Sequence, residues 1–169
     1  MRSLNKKQMK VVIMFHRKWC KDAIIALKYD RPMPQYKVFR SGPGGVGKSH
    51  VIKLVHYETM KLLKPLSGYF GPDELLVLLT AFIGTAAFST EGMTLHSALG
   101  FSCGLKTSTQ YQSAGCEKLN ILRTRLGKLQ LLIIDEVSMV GADLLYYIHR
   151  RLQDICGNSD PDSDLEESV

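Results

Sequence analysis

An α/β fold built around a buried parallel sheet is predicted by three features of the sequence. A glycine-rich loop stands between a strand-like stretch and a helix-like one, within residues 36–65. Two later apolar runs of strand length, Leu75–Thr80 and Leu129–Ile134, carry no charge, as strands buried on both faces do. The second run ends in an acidic pair, Asp135-Glu136.

The loop is Gly42-Pro43-Gly44-Gly45-Val46-Gly47-Lys48-Ser49, which reads G-x-x-x-x-G-K-S, a P-loop. Its glycines let the backbone turn tightly enough for several N–H groups to converge. Gly44, Gly45 and Gly47 are expected to surround a β-phosphate, reinforced by the dipole of the helix that follows. Lys48 is expected to reach the β- and γ-phosphates, and the Ser49 hydroxyl is a hard oxygen ligand for Mg²⁺. Tyr36 to Ser41 reads as the preceding strand, with Arg40 where an apolar residue would pack better. Val51, Ile52, Val55, Thr59, Leu62 and Leu63 then follow at helical spacing, up to about Lys64-Pro65.

The acidic pair is the second constellation. An acidic pair at the carboxyl end of an apolar strand has the form of a Walker B site. Asp135 is expected to hold Mg²⁺ opposite Ser49, and Glu136 to position and polarise the attacking water. Alone, such a strand end carries little information. Following a P-loop, it predicts hydrolysis of a nucleoside triphosphate and not binding alone.

At 169 residues the chain is long enough for one domain with a core, and it has no run long enough to cross a membrane. Cys20, Cys103, Cys116 and Cys156 are scattered without a C-x-x-C pair, which argues against zinc and for reduced thiols in an intracellular protein. Residues 158–169 contain five acids and no base, so the rest of the chain holds eleven acids against 22 Lys and Arg. That surplus fits a polyanionic partner or a solvated basic surface.

In order, Asn5 is the expected N-cap of a helix running to about Leu27, with Met9, Val12, Phe15, Trp19 and Ala23 on one stripe. Tyr29 to Gln35 is a proline-containing linker. Gln8 can offer its amide to an adenine edge. Residues 66–74 read as a loop. After the Leu75–Thr80 strand, Ala81 to Ala87 brings small residues to a strand's carboxyl end, where ligands of α/β sheets bind. Glu91 to Ser97 leads into a short helix, in which His96 reads as a structural histidine. Residues 100–115 read as a surface loop, Lys118–Lys128 as a helix, and Gly141–Cys156 as a last helix with Leu144, Leu145, Ile148, Leu152 and Ile155 inward. Arg150 and Arg151 are expected to face solvent, and the acidic tail to be disordered.

With these blocks in place, the chain resembles the N-terminal part of the PIF-type (petite integration frequency) DNA helicases of superfamily 1B, including those carried by Helitron transposons. Leu4-Asn5-x-x-Gln8 is similar to the family's Q motif, Gly42 to Ser49 to its Walker A, Ala81 to Ala87 to motif Ia, Gly92 to Leu99 to the next segment, and Ile133 to Val140 to motif II. The resemblance implies a RecA-like three-layer parallel sheet. It divides the chain into an N-terminal helix with Q motif and linker (1–35), a partial P-loop ATPase domain (36–157) and an acidic tail (158–169). It also implies ATP and Mg²⁺ as cofactors, single-stranded DNA as partner, and ATP-driven unwinding in DNA repair, recombination and telomere maintenance. A nuclear location goes with it, a mitochondrial one staying open.

The implied nucleotide set is Gln8, Gly42 to Ser49 and His50, with Lys48 and Glu136 catalytic and Ser49 and Asp135 at the metal. Phe82, Gly84, Thr85, Thr94 and His96 are the implied DNA contacts, Phe82-Ile83 standing where the family has Pro-Thr. Motif III and a second motor domain have no counterpart here, so a truncated product is expected, with the place of a strand between Walker A and Walker B left empty. Two rivals are a catalytically inactive nucleotide- or DNA-binding remnant and an unrelated P-loop ATPase of loader or kinase type.

Overall fold

The structure, a computed structural model, describes residues 4–15, 19–29, 31, 36–63, 74–102 and 111–157. Helices α1 (Lys6–Phe15) and α2 (Lys21–Lys28) precede α3 (Lys48–Leu63). Then come β1 (Val77–Ala81), α4 (Gly84–Thr90), β2 (Met93–Thr94) and α5 (Leu95–Leu99). Last are α6 (Cys116–Leu126), β3 (Leu131–Asp135) and α7 (Ala142–Cys156), with a short 3-10 turn, Val137–Met139, before α7.

The three strands form a parallel sheet in the order β2-β1-β3. Register runs from Val77 opposite Leu131 to Ala81 opposite Asp135, so the acidic pair lies at the sheet's carboxyl edge. Every residue of β1 is buried, as its unbroken apolar run requires. Alternation sends its side chains to two different layers. Leu78, with Leu132 and Ile134, faces a cluster containing Leu95, Leu99, Leu122, Leu126, Ile148 and Ile155 from α5, α6 and α7. Val77 and Leu76, with Leu131 and Ile133, pack on Leu63 of α3. Helices therefore cover both faces of the sheet. Thr80, 0% exposed, is tolerated in the centre because its hydroxyl donates to the Ile133 carbonyl at 2.9 Å, which also locks β1 to β3. Gly92 sits where a Cβ would meet the Leu79 carbonyl oxygen at 2.5 Å, so only glycine lets the chain come back beside β1.

Several expectations are corrected. Residues 36–41 form no strand. A strand exists only through its ladder, and β3, at the edge of the sheet, pairs with β1 alone among the described residues. Val38 and Phe39 are left 50% and 73% exposed. The strand β2 went unread because two residues show no period.

The N-terminal helical stretch is seen as α1 and α2, with a π-type turn at Trp19-Cys20 leading directly into α2, and residues 16–18 between them lie outside the described residues. Trp19 and Cys20, adjacent in sequence, are both buried in a cluster with Ala23, against Phe15, Tyr36, Leu62 and Leu131, which needs a wider inward face than the predicted stripe. On α7, Leu144 packs inward as expected, but Leu145 is half exposed.

Arg151 does not face solvent. It is 4% exposed, with its guanidinium over the rings of Phe101 at 5.3 Å and Tyr111 at 5.4 Å. Its Nη2 donates to the Gln112 carbonyl at 3.3 Å, while Nε and Nη1 have no hydrogen-bond partner among the described residues. Beside it the Tyr111 hydroxyl donates to Asp154 Oδ2 at 2.7 Å, and burial together with that carboxylate pushes the phenol well above its ordinary range. Most of the linker 29–35, most of the loop 66–74, the centre of the loop 100–115 and the whole acidic tail lie outside the described residues.

Candidate nucleotide and nucleic-acid site

The glycine-rich loop enters α3 through a turn at Gly44-Gly45, with φ of 75° at Gly45 and 79° at Gly47. Side chains rarely adopt that left-handed region, so these two positions require glycine. Gly42 to Val46 are solvent-exposed, and α3 begins at Lys48, so its free N–H groups open toward the loop. Lys48 Nζ donates to the carbonyls of Gly42 at 3.0 Å and Pro43 at 3.1 Å. The ammonium is thus held over the loop by neutral acceptors that a phosphate oxygen would outcompete. His50 is exposed on the first turn of α3.

Ser49 and Asp135, 86 residues apart, meet directly. Ser49 Oγ donates to Asp135 Oδ2 at 2.8 Å. Asp135 is 3% exposed, and its Oδ1 accepts from the Glu136 backbone N–H at 2.9 Å. The fold therefore spends two donors on orienting one buried carboxylate. Glu136 is exposed and has φ 52°, an uncommon backbone state for a residue with a side chain. Strain of that kind clusters at functional sites.

Two hard oxygens this close, one of them a buried carboxylate, fit a Mg²⁺ ion, which typically takes one or two protein oxygens and completes its shell with water and phosphate. Among the described residues no group of three or more His, Cys, Asp or Glu is gathered so as to hold a metal ion.

Gln8 lies on the loop. Its Nε2 donates to the Val46 carbonyl at 2.9 Å, and its Oε1 accepts from the Asn5 N–H at 2.9 Å. The five expected nucleic-acid residues gather around the carboxyl ends of β1 and β2. Phe82 stands edge-on to His96, ring centroids 5.7 Å apart, and His96 meets Phe101 at 6.3 Å. Gly84 and Thr85 open the first turn of α4 and are exposed. The Thr94 hydroxyl accepts from the Ser97 N–H at 3.2 Å and caps α5.

Sequence reading missed the ion pair of Lys53 on α3 with Glu91 at the end of α4, at 2.8 Å. Hydrogen bonding to the Lys53 ammonium, with its charge, holds the Glu91 carboxyl below its ordinary range. At 38 residues' separation no local pattern announces it, and as an exposed pair it aligns the two helices more than it stabilises them.

Comparison of the sequence with known proteins finds relatives along most of the chain. The PIF1-like helicase profile matches residues 23–165. The ATP-dependent DNA helicase RRM3 of Saccharomyces cerevisiae is 29% identical over 154 residues, covering 88% of this chain and 20% of that protein. The ATP-dependent DNA helicase PIF1 of Emericella nidulans is 32% identical over 107 residues, 63% of this chain and 13% of its own length. The ATP-dependent DNA helicase Pif1 of Campylobacter jejuni is 32% identical over 133 residues, 75% and 27% respectively. The chain thus spans between about an eighth and about a quarter of these relatives. No solved structure gives a significant match. A phosphate loop facing a buried aspartate, in a chain matched along most of its length, has one reading: this chain belongs to the PIF1-like helicase family.

Proposed function

We propose that the chain binds and hydrolyses ATP with Mg²⁺ as part of a DNA helicase motor that moves on single-stranded DNA. The observation that carries this reading is the Ser49–Asp135 contact at 2.8 Å, which joins the two nucleotide motifs across the sheet edge. The names of the relatives, all ATP-dependent DNA helicases, supply the substrate class.

In this reading Lys48 moves from the Gly42 and Pro43 carbonyls to the β- and γ-phosphates. The N–H groups of Gly44, Gly45 and Gly47 and the start of α3 cradle the phosphates, His50 lying beside them. Ser49 and Asp135 hold the metal, which when bound neutralises charge on the phosphate oxygens. Glu136, exposed just beyond the buried Asp135, orients the attacking water and takes its proton. Phe82, Gly84, Thr85, Thr94 and His96 form the strand-end surface offered to single-stranded DNA, Phe82 by stacking. No helix among the described residues is long and apolar enough to cross a membrane.

A second reading, nucleotide and DNA binding without turnover, is favoured by one observation: among the described residues the segment leading into the loop has no sheet partner to hold it rigid. Steady-state ATP turnover and equilibrium ATP binding, each with and without single-stranded DNA, separate the two. DNA-stimulated turnover that Glu136→Gln abolishes is the expected result. Binding with no turnover favours the second reading, and absence of ATP binding overturns both.

A further inference from the structure

Both amide atoms of Gln8 are engaged within the chain. Oε1 accepts from the Asn5 N–H while the Gln8 N–H donates to Asn5 Oδ1, each at 2.9 Å, a reciprocal capping box on the first turn of α1. Nε2 donates to the Val46 carbonyl at 2.9 Å. The approach is tight, since a Cβ on Gly47 would stand 2.6 Å from Nε2. One side chain therefore ties the capped end of α1 to the peptide unit between Val46 and Gly47.

That peptide unit is where the tether acts. A trans peptide is planar and its C=O and N–H point in opposite directions. Fixing the Val46 carbonyl on Gln8 therefore aims the Gly47 N–H the other way. Gly47 is one of the donors read as part of the phosphate cradle, and its φ of 79° is a backbone state that few residues but glycine adopt. We propose that Gln8 is a positioning residue for the phosphate loop, fixing the Val46–Gly47 peptide so that polyphosphate affinity depends on it whichever base is attached. An adenine edge could engage Gln8 only at the expense of the Asn5 cap or the Val46 tether. The inference rests on the nucleotide-binding reading above.

The test uses two variants of the full chain. Gln8→Met keeps the length of the side chain and removes both amide contacts. Asn5→Ala removes the Asn5 Oδ1 half of the cap and leaves the Val46 tether, so it controls for weakening of the helix start alone. Affinities for Mg–ATP, Mg–GTP and base-free Mg–tripolyphosphate are measured by calorimetry, and amide hydrogen exchange over residues 42–49 is followed without nucleotide.

Gln8→Met should weaken all three ligands by one shared factor of about 3–10, the worth of a single net hydrogen bond, and speed exchange in the loop. Asn5→Ala should leave the three affinities within about twofold. A loss confined to Mg–ATP, an equal loss in Asn5→Ala, or loop exchange unchanged in Gln8→Met each overturns the proposal. If the unsubstituted chain binds none of the three ligands, the nucleotide reading fails by itself, and the exchange comparison alone still decides the tether.

Discussion

The contact between Ser49 and Asp135 makes a quantitative prediction that needs no nucleotide. Asp135 is 3% exposed, its Oδ2 accepts from Ser49 Oγ at 2.8 Å, and its Oδ1 accepts from the Glu136 N–H. No ion pair to it occurs among the described residues. A hydrogen bond to a buried charge contributes about 1.5–3 kcal/mol, against roughly 0.5–1.5 kcal/mol between neutral partners. Ser49→Ala should therefore destabilise the metal-free protein by about 1.5–3 kcal/mol, or roughly 3–12 °C in Tm for a chain of this size.

Asp135→Asn should behave differently. It removes a buried charge while keeping an oxygen for the Glu136 N–H, so stability should stay level or rise. In the Asp135→Asn background, Ser49→Ala should cost only about 0.5–1.5 kcal/mol, so the double-mutant cycle should show a coupling near 1 kcal/mol. Urea unfolding in the presence of a chelator, followed by circular dichroism, reads all four proteins. Saturating Mg–ATP, at about 100 times Kd, should then add about 2.7 kcal/mol to the unsubstituted chain and much less to any of the three variants. Equal cost of Ser49→Ala in both backgrounds would refute the reasoning, as would a loss above about 1 kcal/mol for Asp135→Asn alone.

Three other outcomes are expected. Glu136→Gly should relieve the φ of 52° and leave stability level or about 1 kcal/mol higher by thermal melting, while removing ATP turnover as completely as Glu136→Gln does. Arg151→Met should match or exceed the unsubstituted chain in urea midpoint, because two buried N–H donors lose their unmet need, whereas Arg151→Lys should fall below it by giving up the flat stack on Phe101 and Tyr111. Burial lowers the pKa of His56 below 6.5, so under acid the unfolded chain takes up a proton that the folded one refuses. Stability should decline as pH falls through about 6.5, and His56→Gln should flatten that part of the profile measured by urea unfolding.

What could be read from the sequence was what is decided locally. Gly45 and Gly47 announce a left-handed loop whatever surrounds them, and Lys48, Ser49, Asp135 and Glu136 carry their chemistry in their identities. The strands β1 and β3 showed because a strand covered on both faces is apolar throughout. The errors lie where a neighbour decides. Residues 36–41 have strand composition, but a strand needs a ladder, and its absence cannot be seen in Val38 or Phe39 themselves. Leu144 and Leu145 differ by one step of helix rotation, too fine for a periodicity argument. Arg151 was assigned to solvent by its charge, while the rings that bury it come from positions 101 and 111, far away in sequence. The Gln8–Val46 tether, spanning 38 residues, had no local signal.

Among the described residues no strand pairs with the outer edge of β3, and this bears on how the protein behaves at concentration. An edge strand without a neighbour presents backbone groups that an extended chain can pair with, and Leu129 to Ile134 forms an uncharged, proline-free run of the kind that stacks into intermolecular sheet. Val38 and Phe39, 50% and 73% exposed, add apolar surface on the segment that leads into the phosphate loop. Colloidal stability therefore hangs on one strip of backbone, and solubility should respond sharply to a lysine introduced on that edge and hardly at all to one placed on the far side of the sheet, beyond β2.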